Sequence, residues 1–290
     1  MNYIDLHMHS IYSDDGEFTP VELVKMCHQA GIRIMAISDH NCAKANKEAE
    51  QEAARLNIRY IPAIEIDCKY QDLDLHLLGY HIQYKSPDFE EVENNIRRQG
   101  KKTSSEGLRL TRQLGFDITE DELNAVSENG YWKGIWAGEM YAEVLLGKPE
   151  YQDNEMLRPY RAGGSRSDNP FVNFYWDYYS QGKPCYVKVD FPSLKDTISL
   201  VKDNGGKAVL AHPGNNLKNR FELFDDIVKL GIDGVEAFSS YHDRSSAEYF
   251  FGEAQKRRLL ITCGSDFHGK TKPSIRLGQS GCPDQSVIEI

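Results

Sequence analysis

No Cys-x-x-Cys pair occurs in this sequence, no apolar run approaches the ~20 residues that cross a bilayer, and acidic residues outnumber basic ones. Each absence removes a class of protein. The six cysteines, Cys27, Cys42, Cys68, Cys185, Cys263 and Cys282, are scattered through 290 residues, a chain too large to need disulfide staples, so free thiols in a reducing compartment are expected. The longest apolar stretches, 32–38 and 207–211, are strand-sized, which predicts no membrane span. The chain opens on Tyr3-Ile4-Asp5-Leu6 without the basic start and apolar stretch of a secretion signal, which predicts a cytoplasmic location. A formal charge of −10 and a pI near 5.4 supply no basic face for a long nucleic acid. A compact anionic substrate held by metal ions is compatible with that charge. No internal repeat is present, and nothing in the sequence speaks to oligomeric state.

What is present reads as α/β. From 1 to about 83, short apolar runs alternate with helix-like segments, the pattern of βα units with a parallel sheet. In 3–9, read as a strand, Ile4, Leu6 and Met8 face one way while Asp5, His7 and His9 face the other, so two imidazoles project together. Thr19-Pro20-Val21-Glu22 offers an N-cap, a proline at the first helical position and a capping-box glutamate, and Gly31 a stop, which predicts a helix over 20–30. Strands at 34–38, 58–64 and 73–82 and a helix at 43–56 follow. The same alternation resumes after about 183, with strands near 185–189, 208–211, 234–238 and 260–263 and helices at 193–203, 220–230 and 245–257. The middle, 84–182, is different: helical over 88–115, then a mixed, aromatic-rich insertion whose rings either pack a small core or line the mouth of a site. The expected division is a barrel from 1–83 and 183–290 with 84–182 inserted as a lid or substrate-specificity domain.

His7, His9, Asp14, His40, Glu65, His76, His212, Asp266 and His268 nearly all fall at or just after the carboxyl end of a predicted strand, where α/β barrels hold their active sites. Any one alone reads more simply as a hydrogen-bonded histidine or a solvated acid. Six of the nine histidines in such positions make a metal site the better account. Imidazole and carboxylate without thiolate suit zinc, manganese or iron, and nine donors exceed the needs of one ion, which implies two or three. His28 and His81 read as structural.

His7-Met8-His9, Ser13-Asp14, Ser38-Asp39-His40, Ile64-Glu65-Ile66, His76 to Tyr80, Ala211-His212-Pro213 and Gly264 to His268 together resemble the polymerase and histidinol phosphatase (PHP) superfamily, its small stand-alone metal-dependent phosphoesterases above all. The resemblance covers both outer blocks and fades in the insertion. It implies a distorted (β/α)7 barrel with a mainly helical, aromatic-rich insertion and a trinuclear centre of manganese, iron or zinc. His7, His9, Glu65 and Asp266 would hold one ion, Glu65, His76 and His212 a second, and Asp14, His40 and His268 a third. The usual Ser-Asp-Gly reads Ser13-Asp14-Asp15-Gly16 here, so Asp15 competes with Asp14, which keeps the family's spacing from His9.

The implied substrate is a small phosphorylated metabolite, a nucleotide or ribose phosphate, as a monoester or small cyclic diester. Divalent ions lower the pKa of bound water from about 16 toward ~7, so a bridging hydroxide is the expected nucleophile. His242, after a predicted strand, is the candidate proton donor, and Asp39 a partner or relay beside His40. Arg158, Arg161, Lys183 and Arg276 are candidate phosphate ligands, with Lys133 and Arg166 behind them. Alternatives are an exonuclease on short RNA or DNA ends, a non-catalytic metal-bound regulatory module and, more remotely, an amidohydrolase, which lacks support from any bridging lysine after a middle strand.

Overall fold

The first helix forms where its caps predict. In the computed structural model, which describes residues 3–290, Thr19 and Glu22 close a reciprocal capping box, Pro20 opens helix α1 (Pro20–Ala30), and Gly31 stops it at φ 84°. That conformation carries no Cβ penalty only in glycine. Leu23, Val24 and Cys27 point inward onto Met8, Met35 and Ile37. The helix thus clamps the segment carrying His7 and His9.

Strands β1 (Ile4–Asp5), β2 (Ile34–Met35) and β3 (Arg59–Tyr60) make a parallel three-stranded sheet, with helix α2 (Ala45–Arg55) crossing between the last two. A second sheet runs β4 (Ala63–Tyr70), β5 (Leu73–Tyr80), β6 (Lys207–Leu210), β7 (Gly234–Ser239) and β8 (Leu260–Gly264). Between β5 and β6 lie α3 (Pro87–Gln113), α4 (Glu120–Val126), α5 (Gly138–Gly147), α6 (Pro170–Tyr178) and α7 (Leu194–Asp203). Short α8 (Pro213–Asn216), α9 (Phe224–Lys229) and α10 (Arg244–Arg257) complete the α-helices among the described residues.

The architecture is α/β, but the single closed (β/α)7 barrel that was expected is not found. The strands divide into two sheets, and β5 runs antiparallel to both neighbours because a two-residue turn at Gln71-Asp72, not a helix, joins it to β4. The sheets meet through isolated parallel bridges, Met8 with Phe267 and His40 with Glu65. Ladders fail where the backbone bends to aim polar side chains inward: Asn41, His212 and Asp266 have φ of 54°, 23° and 55°. Such conformations are costly for residues other than glycine and gather at functional sites.

The predicted strand at 185–189 is also absent. Tyr186, Val187 and Val189 instead line a cavity, and the apolar alternation of this stretch reflects that lining, not sheet pairing. The helix expected at 88–115 is α3. Rings of the middle block build a core of their own, in which Tyr141, Tyr160, Phe174 and Tyr179 are buried with Leu108, Leu145 and Leu157. Phe174 stacks within 4.5 Å of Tyr178 and is fully enclosed. Phe174→Ala is therefore expected to destabilise the protein by about 3–5 kcal/mol in chemical denaturation. A loss near zero would mean the cluster is not a core.

All six cysteines are free and buried. No helix among the described residues is long and apolar enough to cross a membrane.

Candidate metal centre

His7 and His9 leave β1 on one face, with Met8 turned into the core between them. Glu65 comes from β4 and His76 from β5, while His212, Asp266 and His268 follow β6 and β8. His7, His9 and Glu65 are wholly buried, and His212, Asp266 and His268 nearly so. Gly264 is required at its position: a Cβ there would overlap His7 and stand 2.8 Å from Glu236 Oε1.

Partners outside the cluster fix which ring nitrogens face it. His7 Nδ1 lies 3.0 Å from Glu236 Oε1, His212 Nδ1 3.2 Å from Asn216 Oδ1, and His268 Nδ1 2.9 Å from the Asp266 carbonyl. Each partner is an acceptor, so each Nδ1 carries the proton. His9 Nδ1 meets Ser13 Oγ at 2.9 Å; that hydroxyl donates to Asp39 and accepts from His40 N, so it accepts from His9 as well. Four imidazoles therefore turn an Nε2 lone pair inward, the arrangement by which outer partners orient metal-binding histidines.

The inward atoms crowd together. His7 Nε2 stands 3.1 Å from both His9 Nε2 and Glu65 Oε2, and His9 Nε2 3.1 Å from Asp266 Oδ1. Glu65 Oε1 lies 3.0 Å from His76 Nδ1 and from His212 Nε2, and its Oε2 3.3 Å from His40 Nδ1. In four groups each residue offers one ligand atom within 4.8 Å of the others': His9, Asp15, His40 and His268; His7, Glu65 and His212; His7, His9 and Asp266; and His40, Asp67 and His76. Asp15 Oδ1, His40 Nδ1 and His268 Nε2 are buried without a hydrogen-bond partner. Unsatisfied buried donors and acceptors are costly, and a cation among them would satisfy all three. The donor set fits divalent ions.

Electrostatics agrees. Burial opposes charge on His7, yet the carboxylates of Glu65, Glu236 and Asp266 outweigh it and hold the imidazole well above its usual range, so without a cation a proton takes up the inward Nε2 lone pair that an ion would otherwise use. Burial likewise opposes charge on Glu65, but His7, His76 and His40 hold it well below the ordinary carboxylate range. His9 is pushed down to about 3 by burial and by His268 and His40, which keeps its lone pair free. The acids demand positive charge at the centre, and the orphaned nitrogens offer it a seat.

A profile of the PHP domain matches residues 5–161, more than half of the chain. The chain belongs to the PHP-domain family. The match takes in His7 through His76 and runs on into the middle block, where the motif resemblance fades. A 3',5'-nucleoside bisphosphate phosphatase of Chromobacterium violaceum is 29% identical over 92% of this chain and 88% of its own length. The phosphoribosyl 1,2-cyclic phosphate 1,2-diphosphodiesterase of Eggerthella lenta is 25% identical, over 92% and 94%. The solved structure of a candidate metal-dependent phosphoesterase from Bifidobacterium adolescentis superposes with a TM-score of 0.79 at 26% identity, covering 98% of this chain and 93% of that one.

Against the sequence expectations for this PHP protein, Asp14 is displaced: the carboxylate that reaches the cluster is that of Asp15, 3.0 Å from His268 Nε2, while Asp14 joins none of the four groups and only lines the adjoining space. The tight turn over 10–15, held by Ser13 N on the Ser10 carbonyl, presents the second acid. His242 is not placed as a proton donor. Its Nδ1 donates to the Ala237 carbonyl and its Nε2 accepts from Gly214 N at 2.9 Å, so both nitrogens are spent holding the turn after His212. Asp39 accepts from Ser10 N, Ser10 Oγ and Ser13 Oγ and so holds the turn beneath His9.

The candidate phosphate ligands scatter. Arg158 is solvent-exposed beside Glu155, Arg161 donates to the Leu146 and Tyr151 carbonyls, and Arg276 lies on the surface. Arg166 pairs with Asp177, and Lys133 bonds the Glu128 carbonyl. Only Lys183 borders a cavity continuous with the centre.

The cation at the centre is one the sequence did not single out. Lys272, buried, places Nζ 2.5 Å from Asp266 Oδ2 and 4.6 Å from the Tyr241 ring centre. It lines a chamber of about 160 Å³ with Asp15, Glu139, His212 and His268. Removing one partner of a buried ion pair strands the other. Lys272→Met is expected to reduce turnover or metal affinity by about 10- to 100-fold, seen in steady-state kinetics alongside metal titration. Unaltered values in both would remove Lys272 from the site.

Proposed function

We propose that this PHP-family chain is a metal-dependent phosphoesterase acting on a small phosphorylated metabolite, a nucleotide or ribose phosphate: it releases inorganic phosphate from a monoester, or opens a small cyclic diester to a monoester from which a second hydrolysis releases inorganic phosphate. The observation that carries this reading is the inward-facing Nε2 set of His7, His9, His212 and His268 around Glu65, with the unpartnered Asp15 Oδ1 and His40 Nδ1 beside it. Two or three divalent ions, manganese, iron or zinc, are the expected occupants, held by His7, His9, Asp15, His40, Glu65, His76, His212, Asp266 and His268, with Asp67 as a further donor. Bound there, such ions supply acidified water and neutralise phosphoryl charge.

The chain's own groups do the rest. Glu236 holds His7 through Nδ1 and also accepts from His212 N at 2.9 Å, so one carboxylate fixes two donors. Lys272 holds Asp266 and brings one fixed positive charge to the small chamber, where a phosphoryl oxygen would otherwise face Asp15, Glu139 and Asp266. A chamber of about 160 Å³ has room for a phosphoryl group beside the metal ligands. The division into an outer α/β part, 1–83 and 183–290, and an inserted specificity part, 84–182, belongs to the same reading.

The test is hydrolysis of a panel of nucleotides, sugar phosphates, five-membered cyclic phosphodiesters and short oligonucleotides by manganese-loaded protein, read as phosphate release from the monoesters and as product separation for the diesters. Hydrolysis of the small esters is expected. Stepwise trimming of the oligonucleotides alone would favour the exonuclease alternative, and no hydrolysis of any of them would leave only a regulatory module.

A further inference from the structure

The two sheets meet at a seam between β1 and β8, and the segment 276–290 runs across it. Gln285 is buried there and grips the start of β1 by both polar atoms: Oε1 accepts from Tyr3 N at 2.6 Å and Ile4 N at 2.9 Å, and Nε2 donates to the Ile4 carbonyl at 2.8 Å. Gly278 N adds a bond to Asp5 Oδ2 at 2.6 Å. On the β8 side, Glu289 N donates to the Ile261 carbonyl at 3.1 Å. The regular structure of the segment is one short turn of helix at Gln285–Val287, so scattered bonds, not a ladder, hold it. The seam bears on the metal centre, because across it Leu6 N bonds the Cys263 carbonyl at 3.1 Å and Asp266 N the His7 carbonyl at 2.8 Å.

Cys282 of this segment lies against Cys263 of β8. Both belong to the main core, the Cys263 S–H donates to the Cys282 sulfur, and Gln285 Nε2 stands 3.8 Å from Cys263 Sγ. The other four thiols face different partners: Cys27 the Met8 sulfur, Cys42 Glu93, Cys68 the Leu75 carbonyl and Cys185 Thr111. Cys263 is fully enclosed, whereas Cys282 is 6% exposed and sits between the exposed Gly281 and Pro283. A small oxidant therefore meets Cys282 first. The contact between the thiols favours the same order: the donated S–H holds Cys282 below the usual thiol range and pushes Cys263 well above it, and the thiolate is the nucleophile.

We propose that Cys263 and Cys282 form a reversible disulfide on meeting a hydroperoxide, and that this bond fastens the segment 276–290 across the seam behind the metal centre. The Cys282 thiolate attacks one peroxide oxygen, the O–O bond breaks, and Cys282 becomes a sulfenic acid while the other oxygen leaves as an alcohol, or as water from hydrogen peroxide. Cys263 then attacks the sulfenic sulfur, the S–S bond forms, and the sulfenic oxygen departs as water with the thiol proton. Two thiols and one hydroperoxide thus give one disulfide, one alcohol and one water. A small thiol reverses the step by exchange. Neither sulfur is a candidate metal ligand, so the reaction consumes no group of the centre. The bond closes a covalent loop over 263–282, which removes freedom from the unfolded chain.

The experiment treats the purified protein with a small excess of hydrogen peroxide and counts its thiols under denaturing conditions, before and after dithiothreitol. The count is expected to fall from six to four and to return to six on reduction. A tryptic digest made without reductant is expected to join peptide 259–270 to peptide 277–290, lighter than their sum by two hydrogens. The melting temperature of the oxidised protein is expected to rise by about 5 °C and to fall back on reduction. Cys282→Ala is expected to show neither the linkage nor the rise. Six free thiols after peroxide, linkage through another cysteine, or Cys282 driven to a sulfinic acid with Cys263 still free overturns the inference. Linkage without a rise in melting temperature overturns the fastening. The peptide map of the parent protein decides the pairing even if the variant fails to fold.

Discussion

Glu65→Gln is expected to lower kcat/KM by about a thousandfold or more while the protein stays folded. Glu65 is in reach of five histidines, His7, His9, His40, His76 and His212, and it meets them through both oxygens. Glutamine keeps the volume and one acceptor but loses the negative charge that draws cations into the centre. A loss of several kcal/mol of transition-state stabilisation corresponds to about three powers of ten in rate. The fold should survive because Glu65 is bedded in β4, whose neighbours Ile64 and Ile66 pack the main core independently of the charge. Kinetics and metal content measured on the same preparation check this. Activity within tenfold of the parent, at full metal content, would contradict the role given to Glu65.

Chelation is expected to abolish turnover and to lower the melting temperature together. Without cations the centre holds buried Glu65, Glu236 and Asp266 and the largely covered Asp15, with compensation only from Lys272 and from whatever protons the histidines take up. Ligand binding to the folded state alone adds about 2.7 kcal/mol at a hundredfold excess over Kd. In a chain of 290 residues that is about 4 °C, and each further metal adds to it. Acid should act in the same direction, because imidazoles must be neutral to bind a cation. Differential scanning calorimetry before and after chelation, then after adding manganese back, measures the effect. An unchanged melting temperature with metal demonstrably removed would mean that the acids are not arranged around an ion.

The outer blocks were legible because periodicity carries their meaning. His7 and His9 share a strand face by alternation, α1 declares both its ends through Thr19, Glu22 and Gly31, and His212, Asp266 and His268 follow short β runs. Asp67 had a signal too: it stands two residues after Glu65 and so shares its face of β4. Glu236 is an acid alone inside the apolar run of β7, buried completely, which is the mark of a residue with a partner.

Other features had no local signal. Asp15 rather than Asp14 enters the cluster because an irregular turn decides, and no period runs through a turn. Lys272 acts from a loop whose path depends on packing against Tyr241. His242 sits where a catalytic residue could, after β7, but its contacts to Ala237 and Gly214 are set by the distant turn after His212. Closure of a barrel is likewise a long-range property: the run 73–82 reads as a strand from sequence, while its antiparallel direction follows from the short turn at Gln71-Asp72.

The most direct test of the metal-centred account is phosphate release from adenosine 3',5'-bisphosphate, followed in one sample as purified, after chelation to a metal-free state, and after manganese is restored. Release that disappears on chelation and returns with manganese is the predicted result. Release that persists in demonstrably metal-free protein would contradict the account.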